Sequence, residues 1–318
     1  MSRKIVYLIN PISGTRGKSS LKELISRRTR EQKIDFSILD TRVDGDYSFL
    51  IPLLEKEGIT DIVICGGDGT VNAVAAALRG VDIRIGIIPM GSGNGLAFSA
   101  GISKRPGKAL DIIFAGKAVA IDGLLINDRF SCMLCGIGFD ATVAHAFARQ
   151  SKRGLQTYVR VALAHFLSSR SFPFGIRIPA AENAGKQEGD ISFTMDAFFI
   201  SIANSNQFGN HVTIAPRASL RDGLLDIVIV KKRTRLRMLM AVIRQVLGGN
   251  RLQTIPREAG KRSVLYFQTP CIIIENGKEA PLHIDGDPKP TAKEFIIRIV
   301  PGAFRLIQPE AAAILRRR

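Results

Sequence analysis

The run Asp61-Ile62-Val63-Ile64-Cys65-Gly66-Gly67-Asp68-Gly69-Thr70-Val71-Asn72-Ala73 decides how the rest of the chain is read. Ile62 to Cys65 is unbroken apolar sequence, the pattern of a parallel strand buried on both faces. A glycine-rich turn follows, and Val71 to Leu78 reads as a helix. Strand, glycine turn and helix N-terminus together make a phosphate site. Glycine lets the backbone approach a ligand, and the open N–H groups and helix dipole favour an anion. Asp68 runs against this, because a carboxylate repels phosphate. A divalent cation between the two reconciles them, since Mg2+ takes carboxylate and phosphate oxygens together. The stretch points to a nucleotide-dependent phosphotransferase. The plainer alternative is a tight turn with an aspartate near a helix N-cap.

Upstream, Lys4 to Ile9 is a first strand ending in the turn-forming Asn10-Pro11-Ile12-Ser13-Gly14. Ser19 can cap a helix from Ser20 to about Arg30. Gly14 to Ser19 looks like a P-loop but is not one, because the glycine required five residues before Gly17 falls at Ile12. Ile34 to Leu39 is a second strand that ends at Thr41, and Tyr47 to Glu57 is an amphipathic helix closed by Gly58. Downstream, Ile83 to Ile88 is a fourth strand, followed by a second glycine loop, Pro89-Met90-Gly91-Ser92-Gly93-Asn94-Gly95-Leu96-Ala97. Leu96 stands where a dinucleotide fingerprint needs glycine, which weighs against a dehydrogenase. Ser92 and Asn94 can donate to phosphate oxygens; alternatively Asn94 caps a helix from Gly95. Alternating strands and helices imply a doubly wound parallel sheet, whose ligands sit beyond the carboxyl ends of the strands. Asn10–Gly14, Thr41, Gly66–Thr70 and Pro89–Asn94 all fall there.

Past about Asp122, apolar alternation replaces helices. Arg129–Leu134, Phe172–Ile178, Ile191–Ala203, Leu225–Val230, Val264–Gln268, Cys271–Glu275 and Phe295–Val300 read as strands of an antiparallel β domain. Two helical insertions interrupt it, Ala141 to about Ser168 and Arg235 to Leu247. The second sets Leu236, Leu239, Met240, Ile243 and Leu247 on one face, with Arg237 and Arg244 outside it. Lys and Arg number 45 against 28 Asp and Glu, and the resulting charge of +17 suits nucleic acid, anionic lipid or polyphosphate. Aromatics are only 7% and Trp is absent, so no base-stacking platform is evident and nucleic acid is not expected. Cys65, Cys132, Cys135 and Cys271 form no disulfide framework, which favours a reducing cytosol. Cys132 and Cys135 lack the second pair a zinc site needs and read as buried small hydrophobes. No stretch reaches the ~18 apolar residues of a membrane span, so the chain reads as soluble or peripheral.

Six elements in order carry a family resemblance: Asn10-Pro11-x-Ser13-Gly14, Gly66 to Asn72, Gly91-Ser92-Gly93-Asn94, Gly136-Ile137-Gly138-Phe139-Asp140-Ala141, Asp222-Gly223-Leu224-Leu225-Asp226 and Asp285-Gly286-Asp287. Over nearly its whole length the chain resembles the catalytic domain shared by diacylglycerol kinases, sphingosine kinases and their bacterial lipid-kinase relatives. NAD kinases carry a similar glycine-aspartate run, but they do not open with the Asn-Pro turn, and their Asn-Asp-Glu element is not found here. The resemblance implies two domains: an N-terminal doubly wound α/β domain of phosphofructokinase type, residues 1–121 with about 303–318 returning to it, and a C-terminal antiparallel β-sandwich, residues 122–302. It implies a nucleotide site in the cleft between them. It also implies ATP and Mg2+, with nucleotide contacts on Asn10, Pro11, Ile12, Ser13 and Gly14, on Thr41, on Gly66, Gly67, Asp68, Gly69, Thr70, Val71, Asn72 and Ala73, and on Ser92 and Asn94.

Bacterial relatives hold a structural Mg2+ at the positions of Ser219, Asp222 and Leu224; a plain β-turn at Asp222-Gly223 is the alternative. Asp287 replaces the family's glutamate, which takes the proton from the lipid hydroxyl. Asp285 competes for that role, Asp68 is the base in the sphingosine kinase branch, and the triplet also suits a simple hairpin turn. Asp140 falls where sphingosine kinases place a carboxylate for the amino-alcohol headgroup, or it caps a helix. The expected function is an ATP-dependent lipid kinase acting on a primary hydroxyl, with a sphingoid long-chain base favoured over diacylglycerol. The alternatives are a soluble small-molecule kinase of the NAD kinase type and a non-catalytic nucleotide-binding module at the membrane. The expected partners are a membrane lipid substrate and an anionic membrane surface, reached through the +17 charge, the Lys231–Arg251 segment and the Arg316-Arg317-Arg318 tail. A homodimer is left open. The expected location is cytoplasmic, peripheral to the inner face of the membrane.

Overall fold

The computed structural model describes residues 3–10, 18–151, 154–180, 189–207, 213–256, 260 and 262–310. Pro11, Ile12, Ser13, Gly14 and the arginine tail lie outside them. The chain divides into two compact units, Met1–Asp122 with Pro301–Arg318, and Gly123–Val300.

The first unit alternates β1 (Lys4–Ile9), α1 (Lys18–Glu31), β2 (Asp35–Asp40), α2 (Leu50–Glu57), β3 (Asp61–Gly66), α3 (Asp68–Ala77), β4 (Arg84–Pro89), α4 (Gly95–Ser99) and α5 (Pro106–Ala115), and ends as β5 (Lys117–Ile126) begins. The strands are parallel in the order β2-β1-β3-β4. Past their first residues, Lys4, Asp61 and Arg84, the strands β1, β3 and β4 are apolar and buried, as strands covered on both faces must be. The order reverses at β1, so the crevice for a ligand opens beyond the carboxyl ends of β1 and β3.

Three details differ from the sequence reading. α3 starts at Asp68 rather than Val71, so Gly69 and Thr70 lie in its first turn and extended Gly67 is its N-cap. α2 starts at Leu50 rather than Tyr47, because Asp44 and Asp46 accept the N–H groups of Asp46 and Ser48 and hold the approach as turns. α5 was not anticipated, although Pro106 at its first turn is a start signal and Ala109, Leu110 and Ile113 are its buried face.

The second unit takes the rest of β5, then β6 (Arg129–Ser131), β7 (Leu134–Gly138), α6 (Phe139–Ala148), α7 (Leu155–Phe166), β8 (Phe172–Ile178), β9 (Ile191–Ala203), β10 (Leu225–Lys231), α8 (Arg235–Val246), β11 (Val264–Thr269), β12 (Cys271–Glu275), β13 (Leu282–Ile284) and β14 (Asp287–Lys289). β15 (Glu294–Gln308) starts in this unit and finishes in the first, where Arg305 and Leu306 pair in parallel with Arg84 and Ile85 of β4. β9 is the seam of the β-sandwich, antiparallel to β8 along its first half and to β7 and β10 along its second. Ile137, Phe174, Ile200, Ile227, Phe267 and Ile274 belong to one apolar core.

The expected single strand Arg129–Leu134 is broken in two. The Ser131 hydroxyl accepts the N–H groups of Met133 and Leu134, bending the chain between β6 and β7. The first helical insertion is two helices, with Gly154 at φ 116° just before α7. In α8 the buried face is Met238, Ala241 and Gln245, while Leu236, Met240, Ile243 and Leu247 are exposed. The predicted apolar stripe exists but points away from the core.

Asp61 at the head of β3 is fully buried. Both its oxygens are bound by Arg3, Oδ2 also by Arg84 at 2.6 Å. Removing one member of a buried ion pair leaves charge uncompensated, so Asp61→Ala lowers stability by about 3 kcal/mol, read as a drop in the urea midpoint.

Candidate functional site

In the first unit, four strand ends bring together most of the residues singled out from sequence. Gly66 pairs with Pro89 at the ends of β3 and β4, so the two glycine loops leave the sheet side by side. They touch: a methyl group on Gly91 would lie 2.7 Å from Gly67 Cα. Met90 N–H donates to Gly66 O across the same gap at 2.9 Å. Asp68 reaches over to the second loop, where its Oδ2 accepts Gly95 N–H at 3.1 Å and its Oδ1 accepts Leu96 N–H at 3.4 Å. The carboxylate thus caps α4. Asn94 does not; it is left-handed (φ 56°), and its side chain turns back to accept Gly91 N–H and donate to Gly91 O. The cap is at Asp68 because Asn94 is occupied in holding its own loop.

Asn10, at the end of β1, donates its N–H to Cys65 O and its amide to Thr70 Oγ1 at 3.2 Å. Thr41 is buried at the end of β2 and donates its N–H to Ile9 O. Asn72 and Ala73 are half-buried and Val71 is buried within α3, whereas Gly69 and Ser92 are exposed. Glycine N–H groups, the N-terminus of α3 and the Asp68 carboxylate together can cradle an anion and the cation that accompanies it.

In the second unit, Asp285 and Gly286 are the two loop residues of the β13–β14 hairpin, with φ 51° and 83°. Such left-handed pairs are what Asp-Gly supplies. Asp285 Oδ1 accepts the Ser131 hydroxyl at 2.6 Å and Leu134 N–H at 3.0 Å, which fastens the hairpin to β7. Asp287, next along, is exposed. His283 was missed from sequence: a lone histidine between Leu282 and Ile284 reads as one more strand residue. It is fully buried, its Nδ1 accepts Gly286 N–H at 3.2 Å, and its Nε2 lies 3.5 Å from Asp140 Oδ2. Gly136 makes room for this pair, since a methyl group there would collide with both. Asp140 is buried in the first turn of α6, and burial raises its carboxyl pKa.

Ser219, Asp222 and Leu224 form a separate turn. Asp222 Oδ1 accepts Leu224 N–H, Oδ2 accepts Gln268 Nε2, and Gly223 is left-handed. Asp226 behind it accepts the Tyr266 hydroxyl at 2.6 Å, and burial pushes its carboxyl up to about 6. No cluster of three or more acidic, histidine or cysteine side chains among the described residues is arranged for a metal. A cation here would use one carboxylate and the carbonyls of the turn, a donor set that hard cations accept. All four cysteines are free, and Cys132 and Cys135 are buried.

Residues 4–126 match the family model described as the diacylglycerol kinase catalytic domain, and residues 134–308 match that of the YegS C-terminal NAD kinase beta sandwich-like domain. A Chromohalobacter salexigens protein named "Probable lipid kinase YegS-like" is 28% identical over 294 residues, covering 91% of this chain and 88% of its own. "Probable lipid kinase YegS" of Salmonella typhimurium is 27% identical over 310 residues, 94% and 96% of the two chains. The crystal structure of a diacylglycerol kinase from Bacillus anthracis str. Sterne superposes with a TM-score of 0.71 at 18% identity, over 97% of this chain and 98% of that one, a likeness of fold.

The two carboxylates of the hairpin separate on stability. Asp285→Ala leaves the Leu134 N–H without its acceptor and costs about 2 kcal/mol. Asp287→Ala, at an exposed position, stays within about 0.5 kcal/mol of wild type. Urea unfolding of both variants checks this.

Proposed function

Because the chain belongs to the kinase family that joins a diacylglycerol kinase catalytic domain to a YegS-type β-sandwich, we propose that it transfers the terminal phosphoryl group of ATP to the primary hydroxyl of a membrane lipid. The observation that carries this is the backbone contact of Gly67 with Gly91 at the carboxyl ends of β3 and β4, spanned by Asp68. Phosphoryl transfer asks little covalent chemistry of a protein; it asks for position and charge compensation. The backbone of both glycine loops, with Asn10, Thr41, Thr70 and Ser92, holds the phosphates and nucleotide. Asp68 fixes the loops and would help hold an Mg2+ accompanying the phosphates, an ion that would neutralise their charge. Asp287 is the group that accepts the hydroxyl proton, because Asp285 is committed to Ser131 and Leu134. A structural cation at Asp222, with carbonyls of Ser219 and Leu224, belongs to this reading.

A long-chain base is the first choice of acceptor, because a buried carboxylate at Asp140 beside His283 suits a cationic headgroup. Diacylglycerol is the second reading. Burial raises the Asp140 pKa, which weakens it as an ammonium partner. Among the described residues no helix is long and apolar enough to cross a membrane. The lipid is then met at a surface, and the inner face of the membrane is the proposed place.

Radiolabelled ATP offered with sphingosine, dihydrosphingosine, ceramide, diacylglycerol, phosphatidylglycerol and NAD tests the function and the acceptor together. Label is expected in the organic phase; label confined to the aqueous phase with every lipid overturns the proposal. Gly91→Ala is expected to lower turnover about a hundredfold, the scale of a ~1 Å misplacement. Gly277→Ala, with open space around it, leaves turnover unchanged. Asp287→Asn loses about a hundredfold or more, while Asp287→Glu restores the family's carboxylate and keeps activity.

A further inference from the structure

The exposed stripe of α8 is a cost that the fold does not recover. Leu236 (69% exposed), Met240, Ile243 and Leu247 (79% exposed) follow each other at helical spacing on the solvent side. The segment around them is charged in one sense only: residues 227–257 contain eight Lys or Arg and no Asp or Glu. Arg237, Arg244, Arg251 and Arg262 line a groove of about 830 Å3, with Leu236 and Met240 on its wall. No carboxylate lines that groove, and none of the four arginines makes an ion pair, among the described residues. Some surface arginines elsewhere are paired, as Arg28 is with Asp111, Arg42 with Asp44 and Arg305 with Asp82.

α7 repeats the pattern. Val159, Leu163 (61%) and Leu167 (74%) are exposed at i, i+4 and i+8. Residues 141–181 hold six Lys or Arg and again no carboxylate. Arg235 Nη1 at the start of α8 donates to Phe166 O at the end of α7 at 3.0 Å, so the two stripes meet at their ends.

We infer that the outer face of α8, with the adjoining end of α7, is a docking surface for an anionic phospholipid bilayer. The aliphatic side chains enter the acyl region and the arginine groove takes headgroup phosphates. Guanidinium forks bind phosphate oxygens in pairs, and aliphatic side chains beside unpaired basic ones are the composition of an interfacial helix. A nucleic acid would give the four aliphatic side chains nothing to do. The surface deepens the lipid-substrate reading and rests on it for its purpose, but its test needs no turnover.

The test is co-sedimentation of the full chain, without ATP, with phosphatidylcholine vesicles containing or lacking phosphatidylglycerol. Wild type binds the anionic vesicles, and added salt weakens the binding. Arg237→Gln with Arg251→Gln, and separately Leu236→Ser with Met240→Ser, each weaken it about tenfold. Arg27→Gln with Arg30→Gln removes the same charge from α1 and leaves binding unchanged. All six positions are exposed or half-buried, and unchanged unfolding midpoints confirm intact folds. Wild-type retention by both α8 variants, or equal loss in the α1 variant, overturns the proposal. So does a wild-type dimer in sedimentation velocity that the Leu236→Ser, Met240→Ser variant dissociates, because the stripe is then a protein interface. Vesicle binding with no phosphoryl transfer to any lipid sinks the kinase proposal and leaves the surface standing.

Discussion

Two polypeptide turns share one space where the methyl of a single alanine would not fit. Gly67 and Gly91 are in backbone contact because β3 and β4 are adjacent and in register to their last residues. The remaining polar groups are arranged around that contact. Asn94 folds its side chain onto Gly91 and keeps the second loop closed. Asp68 spans from the first loop to the N–H groups of Gly95 and Leu96. Asn10 ties the end of β1 to Thr70. The carboxylate that looked anomalous beside a phosphate site is, in the folded chain, first a structural tie between two loops, and its burden of backbone bonds sets its orientation.

The second unit solves a similar problem with side chains. An Asp-Gly hairpin is locally stable, but it needs an anchor to present a neighbouring residue in a fixed direction. Asp285 supplies one side of that anchor through Ser131 and Leu134, and His283 supplies the other through Gly286 N–H. Asp140 closes the set from α6, in the space that Gly136 leaves. Three of the four titratable side chains in this cluster face inward, and Asp287 alone is exposed.

Much of this was legible in sequence, and the failures have physical causes. Ile62 to Cys65 announced a buried parallel strand because only such strands are apolar on both faces. Successive glycine turns at strand ends announced one edge of a sheet. The start of α3 was misplaced because glycine counts against a helix by propensity, while the N-cap geometry of Gly67 and the dipole preference of Asp68 outweigh it. The α8 pattern gave the right period and the wrong direction. A stripe identifies a face, but only packing tells which face the core takes, and Met238, Ala241 and Gln245 took it. His283 was invisible because its role comes from Asp140 and Gly286, partners that strand periodicity does not reveal. Pro11 to Gly14 and the arginine tail lie outside the described residues, so their readings stand as expectations.

β15 carries a consequence for the chain as it is made. The outer edge of β4 is paired by Arg305 and Leu306, more than two hundred residues further along. While the ribosome works through the whole second unit, the four-stranded sheet of the first waits with one edge of hydrogen-bonding groups unmet. Open edges recruit other strands, and nascent chains are crowded on polysomes. At this edge, exposure to other strands therefore belongs to the interval of the chain's own synthesis, and ends only when the last strand has emerged.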